Sequence, residues 1–135
     1  MIDRLDRELH FHQLTLGIRA QRQELLASNI ANADTPHYKA RDIDFRSTLE
    51  NAISGRADGA LAMSRTSAGH LDGEGGNRFG AAVSYRTEHQ SAVDGNTVDM
   101  DVERGAFAEN AIQIEAALTF VREKFRHMQA AIQGQ

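Results

Sequence analysis

Apolar side chains recur at alternating steps of four and three residues through the last third of the chain. This spacing keeps one line of an α-helix apolar, as in a helix that lies along a partner helix. The eight positions, which we call the seam, are Phe107, Ala111, Ile114, Leu118, Val121, Phe125, Met128 and Ile132. The pattern predicts one long helix over residues 100–133, with acidic residues at its start near Asp99 to Asp101 and Gly134 at its end.

A second apolar line lies near the start of the chain and is less regular. Its seam positions are Phe11, Leu14, Ile18 and Leu25, and its adjoining stripe holds Leu26 and Ile30. Polar residues occupy other seam positions (Gln21, Ser28, Asn32), where they weaken a coiled coil but can fix its register. Residues 3–32 contain one glycine and no proline, so a helix of similar length fits over residues 1–33. The matched lengths predict that the two helices pair as a coiled coil.

The first helix is predicted to end in a defined turn. Pro36 disfavours helical geometry at Thr35, and the short side chains of Asn32 and Asp34 can bond nearby backbone groups. We assign five residues to this helix-terminating turn: Asn29, Asn32, Thr35, Pro36 and Tyr38. Because such residues commonly terminate helices, we prefer this interpretation to a binding site.

Residues 34–99 are predicted to form a loop-rich central region. Seven of the 11 glycines fall between Gly55 and Gly80, which indicates a flexible insert near residues 54–78. A short helix is expected to begin near Asp44, and residues 79–85 alternate as a strand does. A turn at residues 94–96 then leads into the last helix. The expected fold is mainly α, with short extended segments in the centre.

Composition narrows the classes of function. Ala accounts for 20 of the apolar residues, which leaves a thin supply of larger side chains for a self-sufficient core. The net charge of −4 gives no surplus for nucleic acid, and the excess of Arg over Lys mildly favours contacts between protein surfaces. The chain has no cysteine, no apolar run long enough to span a membrane, and no apolar stretch of a cleaved secretory signal at its start.

No group of residues in the sequence points to catalysis or to a cofactor. The six histidines lack the spacing of zinc ligands, and His10 and His12 point to different sides of a helix. The glycine-rich run at residues 73–78 lacks the Lys-Ser or Lys-Thr of a phosphate-binding loop, and no nucleophile elbow occurs. The acidic residues lie mostly on predicted helix faces, where we interpret them as solvated charges. We therefore expect no enzyme activity, no cofactor and no metal.

The helical pattern by itself leaves two interpretations open. The seam can pack between the subunits of a filament, or it can be buried in a self-contained helical hairpin. Two helices about 50 Å long with a loop-rich centre leave apolar stripes exposed, which favours the filament. A soluble dimeric coiled-coil adaptor remains the alternative function.

The segment around the predicted turn resembles a known signature. Residues 19–38, with Asn-Ile-Ala-Asn-Ala-Asp-Thr-Pro at residues 29–36, are similar to the N-terminal signature of bacterial flagellar rod and hook axial proteins. Residues 39–45 and 94–101, together with the length, narrow the resemblance to a proximal rod subunit. It covers about residues 1–50 and 93–133. One departure is His37, where that family usually has glycine.

The resemblance implies a structural subunit of the tubular basal-body rod in the periplasm, a drive shaft that transmits torque and forms part of the export channel. It implies export through the flagellar type III apparatus without a cleaved signal, with the first few tens of residues also serving export. The implied partners are copies of the chain, other rod proteins, the export apparatus and basal-body ring components. In that family the two terminal helices pack together and against neighbouring subunits.

Overall fold

The computed structural model describes residues 2–54, 83–87 and 93–134. These residues contain, in chain order, α1 (Ile2–Ala31), β1 (Arg41–Ile43), α2 (Phe45–Ile53), β2 (Val83–Tyr85) and α3 (Met100–Gln133). The prediction of a mainly α fold, with long terminal helices and short extended segments in a loop-rich centre, is confirmed. The predicted insert lies outside the described residues apart from Ser54, and only the last three residues of the predicted strand are described.

The ends of α3 lie where the sequence predicts them. Asp99 is the N-cap, and its carboxylate accepts hydrogen bonds from the backbone N–H groups of Asp101 at 3.0 Å and Val102 at 3.3 Å. These bonds satisfy donors that have no partner within the helix. Gly134 ends the helix with a φ of 73°, in the left-handed region that glycine adopts without strain. The 34 residues between them span about 50 Å.

Helices α1 and α3 run antiparallel along each other within one chain. At one end of the pair, Asn29 donates a hydrogen bond to Glu103 at 3.1 Å. At the other end, Lys124 pairs with Glu8. The pairing brings the start of α1 next to the last part of α3. That this pair continues as a coiled coil stays a prediction.

A second layer covers another side of α1. Strands β1 and β2 form an antiparallel ladder in which Ile43 faces Val83, and α2 follows β1 directly. Asp44 caps α2 by accepting a hydrogen bond from the Arg46 N–H at 3.1 Å, as its position in the sequence predicts. The buried residues Ile18 and Ile43 form a cluster with the partly buried Leu25, Phe45, Leu49, Ala52 and Val83.

The apolar core of the described residues is small. Its fully buried members are Ile18, Leu26, Ala40 and Ile43. Eleven large hydrophobic side chains in the same residues are exposed, and six of them belong to α3. Within the described part of the chain, no helix is both long enough and apolar enough to cross a membrane. The larger apolar surface of this fold therefore lies outside its core, on α3.

Candidate assembly interface

The structure divides the predicted seam of α3 into two halves. One half is partly buried on the flank of the helix nearer α1: Phe107, Ile114, Val121 and Met128. The other half is exposed, and we call it the exposed stripe: Ala111, Leu118, Phe125 and Ile132. The exposed fraction rises along the stripe from 45% at Leu118 to 87% at Ile132. The chain's own α1 therefore covers only half of the seam.

The seam residues of α1 are covered to different degrees. Ile18 is fully buried between α1 and the α2 layer, whereas Leu14 and Leu25 are partly buried. Phe11 is 43% exposed. Leu26, on the adjoining stripe, is completely buried. The α2 layer and α3 thus each cover part of the apolar side of α1, and this side is less covered at Phe11 than at Ile18.

Polar groups occupy the line of α3 that lies against α1. Glu103 and Asn110, seven residues apart, are 1% and 0% exposed, and Lys124 continues the line to its contact with Glu8. Asn110 donates a hydrogen bond from Nδ2 to Gln23 Oε1 at 2.6 Å, while its Oδ1 has no partner among the described residues. Buried polar groups need partners at fixed positions, so these contacts set the register of the two helices.

A group of charged and polar side chains, which we call the clasp, joins α1, β1, β2 and α3; it consists of Arg22, Asn29, Asp42, Arg86 and Glu103. Arg22 binds the Asp42 carboxylate through two N–H···O contacts of 2.9 and 3.0 Å. Arg86 donates to Asp42 at 2.6 Å and to Glu103 at 2.9 Å. The two guanidinium groups and two carboxylates balance each other, so each partly or fully buried charge faces an opposite one.

The clasp also shifts the pKa of its groups. Burial acts to raise the pKa of Asp42, but hydrogen bonds from Arg22, Arg86 and the Ile43 N–H outweigh it, and the pKa lies below the ordinary value. The same hydrogen bond with Asp42 raises the pKa of Arg22. The Arg22–Asp42 pair consequently stays ionised at neutral pH.

Asn29 lies in the last turns of α1 and has a wider role than the predicted turn. The side chain is 0% exposed, and its Nδ2 donates to the Arg41 carbonyl at 2.8 Å. Its Oδ1 accepts a hydrogen bond from the Arg41 N–H at 3.1 Å. The amide of Asn29 therefore bonds the β1 backbone in both directions, while the same Nδ2 reaches Glu103 on α3. One side chain connects three elements.

The other residues assigned to the turn lie where α1 ends. Asn32 donates from Nδ2 to the Ser28 carbonyl at 2.8 Å, and the Thr35 hydroxyl donates to Asn32 Oδ1 at 3.1 Å. Pro36 is exposed. The hydroxyl of Tyr38 lies 3.1 Å from the Ser28 hydroxyl and ties the chain after the turn back to the helix. Short side chains that bond nearby backbone groups are the usual means of ending a helix.

Asn96 lies near the end of the central region and binds the backbone where α1 ends. The residue is 5% exposed, and its Nδ2 lies 2.7 to 3.1 Å from the carbonyl oxygens of Asn32, Ala33 and Thr35. These carbonyls belong to the end of α1 and the turn after it, where no further helical N–H is available. The sequence indicated only a turn at this position.

His37 adopts a φ of 60°, in the left-handed region that favours glycine. Its N–H donates to the Asp94 carbonyl at 3.1 Å. Gly95 has a φ of 71°, and a Cβ added there would lie 3.0 Å from His37 Nδ1. His37 therefore holds a backbone conformation that glycine adopts more easily, and the histidine backbone carries the strain.

The free side of α3 also carries apolar residues outside the seam. Ile112 is 70% exposed and Phe120 is 68% exposed, two helical turns apart. The seven-residue repeat did not include them. A helix that is apolar on several sides is typical of a position surrounded by other elements, and a single partner helix does not account for it.

Comparison with known proteins places this chain in a family. Residues 9–39, which cover most of α1 and the turn after it, match the family model described as flagella basal body rod protein. The flagellar basal body rod protein FlgB of Salmonella typhimurium is 46% identical over 136 residues and 99% of each chain. FlgB of Proteus mirabilis strain HI4320 is 44% identical over 98% of each chain, and FlgB of Escherichia coli K12 is 45% identical over 99% of each. The chain belongs to the FlgB family.

Membership of the FlgB family makes this chain a structural subunit of the flagellar basal-body rod. The family is one of structural proteins, so the prediction that the chain is not an enzyme is confirmed. The alternative of a soluble coiled-coil adaptor gains no support from the comparisons. The family-model match spans residues 19–38, the segment that resembles the N-terminal signature of axial proteins.

The FlgB-family signature was visible in the sequence, whereas the clasp was not. Its contacts join residues far apart in the chain: Asn29 and Glu103 are separated by 74 positions, and Asp42 and Arg86 by 44. The interpretation of the acidic residues as solvated charges is wrong for Glu103, which is buried because Arg86 and Asn29 supply its partners. The available signal was the seven-residue spacing of Glu103 and Asn110 beside an apolar seam.

Proposed function

We propose that this rod subunit assembles with copies of itself and with other flagellar rod proteins into the tubular proximal rod, and that the exposed stripe of α3 is buried there. The observation that carries the proposal is the distribution of polarity around α3. In a self-contained hairpin, apolar residues face the partner helix and polar residues face solvent. Here Glu103 and Asn110 are buried against α1 while Phe125 and Ile132 are exposed.

The energy of assembly in this proposal comes from covering the stripe. Each large apolar side chain contributes about 1 to 3 kcal/mol when it passes from solvent into a packed interface. Leu118, Phe125 and Ile132 offer three such side chains in every copy, so their contribution is repeated through a polymer. Within the subunit, the partly buried half of the seam packs with the seam residues of α1. In the rod, these residues lie next to the exposed stripe and extend the packed interface.

The proposal includes the place of the subunit in the cell. The rod lies in the periplasm, transmits torque and encloses part of the export channel, and its neighbours include the export apparatus and basal-body ring components. The subunit arrives through the flagellar type III apparatus without a cleaved signal. Family membership supports these points. Deleting residues 2–20 should stop export, and secretion of the shortened chain would contradict the export role of α1.

The assembly proposal is tested by placing a charge in the exposed stripe. Leu118→Asp or Phe125→Asp should abolish rod assembly and motility while expression stays at the wild-type level, because a carboxylate cannot be buried there without a partner. Swimming in soft agar and isolation of basal bodies measure the outcome. Motile cells carrying either substitution would show that the stripe is not buried in the rod.

A matched control separates this effect from a general effect of charge. Val93 is fully exposed in the turn before α3, so Val93→Asp adds the same group away from the stripe. We expect cells with this substitution to swim. Circular dichroism of the purified variants should be identical to wild type, which shows that the defect arises in assembly and not in folding.

A further inference from the structure

We infer that the exposed stripe of α3 docks into a groove formed by α1 and α2 of a second copy of this chain. The inference rests on the proposed function, because it names the surface that receives the stripe. The groove lies between the first half of α1 and the end of α2 and has a volume of about 740 Å³. Its apolar lining includes Leu9, Phe11, Leu14 and Ile53.

In the part of the chain that the structure describes, the groove is open to a partner molecule. None of the described α3 residues, 100–134, borders it. Ile53 and Phe11 have exposed fractions of 57% and 43%. Helix α3 meets this part of α1 along another line, through Lys124 and Glu8. Because α3 of the same chain contributes no described residue to the lining, an occupant from another molecule fits this geometry.

The stripe and the groove match in size and polarity. Leu118, Phe125 and Ile132 follow one another at seven-residue steps, which separates neighbours by about 10 Å along the helix. A groove of this volume accommodates large side chains from two successive steps. An apolar centre with a polar edge is also the composition of specific protein interfaces.

Charges at the two edges are complementary. Asp6 borders the groove at an exposed position, whereas the exposed Arg122 and Arg126 lie beside Phe125 on α3. Among the described residues, Arg126 contacts Glu123 of its own helix at 3.7 Å, and the Arg126 side chain is 79% exposed. Arg7 also borders the groove but already takes part in a contact within the chain. The edge charges therefore favour one orientation of the incoming helix.

This contact is heterologous, because the stripe and the groove lie on different surfaces of one chain. Each copy offers its stripe to one neighbour and its groove to another. Heterologous contacts repeat into rings or open helical assemblies, whereas pairing of two stripes would close a two-fold dimer. An experiment that distinguishes stripe-to-groove contact from stripe-to-stripe contact therefore tests the inference.

Site-directed cross-linking tests the contact in the full chain, which has no cysteine of its own. Gln13→Cys places a thiol at the groove, and Gln129→Cys places one on α3 beside Phe125, and neither removes an apolar side chain. The matched controls are Ala27→Cys, exposed elsewhere on α1, and His127→Cys, exposed on the other side of α3. Single-cysteine chains, one of them with a mass tag, are mixed and treated with a short bismaleimide.

We expect the Gln13→Cys and Gln129→Cys chains to form the mixed dimer at least ten times faster than any pairing that includes a control. A chain that carries both cysteines should give a ladder of oligomers. Dominant Gln129→Cys self-pairing would overturn the inference in favour of stripe-to-stripe contact, and internal cross-linking of the double variant would mean that its own α3 covers the groove. Sedimentation of wild-type protein in parallel distinguishes failure of this docking inference from failure of the proposed self-assembly. No self-association at all would contradict the proposed self-assembly too, whereas association with a different cross-linking pattern would sink the inference alone.

Discussion

On the side of α3 that contacts α1, the most deeply buried positions are held by Glu103 and Asn110, whereas on the free side Phe125 and Ile132 are more than half exposed. The first side is built from hydrogen bonds and ion pairs, which need partners at fixed positions. The second side is built from apolar surface, which binds without such directional demands. The same helix therefore carries two kinds of contact.

The difference teaches that one helix can hold the shape of its own chain on one side and leave apolar surface uncovered on the other. Polar layers in a helix pair lower its stability but select one register and orientation. Apolar surface supplies most of the free energy of association. In this subunit the contacts that specify its shape are internal, and the apolar surface that we propose for assembly faces outward.

The largest effect should come from breaking the clasp. Glu103→Ala leaves Arg86 without one of its two carboxylates and Asn29 Nδ2 without one of its two acceptors in a buried site, so the free energy of unfolding should fall by about 3 to 5 kcal/mol. Glu103→Gln keeps the shape and an acceptor and should cost less. Urea unfolding followed by circular dichroism measures both. A loss below about 1 kcal/mol for the alanine variant would mean that the polar contacts between α3 and α1 do not stabilise the helix pair.

A smaller loss is expected at Asn96. Asn96→Ala removes the donor that serves three carbonyl groups at the end of α1, and we expect a loss of about 1 to 3 kcal/mol in the free energy of unfolding. Asn96→Asp keeps the size but has no N–H to donate, so it should be at least as harmful. If the aspartate variant were as stable as wild type, the hydrogen bonds from Nδ2 would not matter.

The clasp should also make the free energy of unfolding depend on pH in the acidic range. The pKa of Asp42 is lowered in the folded state, so its stabilising effect is complete above the unfolded pKa, near 4, and is lost as pH falls through the folded value. Unfolding free energies of wild type and Asp42→Asn should converge as pH falls below about 5. Asp34→Asn, exposed after α1, is the control and should track wild type. A constant difference between wild type and Asp42→Asn across this range would contradict the role of the ionised carboxylate.

The smallest effect on folding is expected on the free side. Ile132→Ser should change the unfolding free energy of the monomer by less than about 0.5 kcal/mol, because the side chain is already 87% exposed. Ile114→Ser, on the partly buried half of the seam, should cost more. Yet Ile132→Ser should weaken self-association measured by sedimentation. Equal losses of folding stability for Ile132→Ser and Ile114→Ser would contradict the distinction between the free side of α3 and the side nearer α1.

The long helices and their caps could be predicted because the signals are local. Asp99, Asp44 and Gly134 act on groups within a few residues, and the seam is regular over its whole length. The sequence could not show which half of the seam faces α1, since both halves are apolar. It also could not show that Glu103 and Asn110 are buried, because their partners on α1 are 74 to 91 residues away and polar residues on a helix are most often solvated. The groove depends on the packing angle of α2, which no local pattern encodes.

The antiparallel pairing of α1 and α3 has a consequence for the order of folding. The hydrogen bonds between these helices join residues 74 to 116 positions apart in the chain. Contacts of such high sequence separation form late, because the entropy of closing a long loop is lost before any contact is gained. A chain that emerges from a ribosome or a narrow channel with residue 1 first cannot complete this pair until α3 has followed, so α1 spends that interval without its partner.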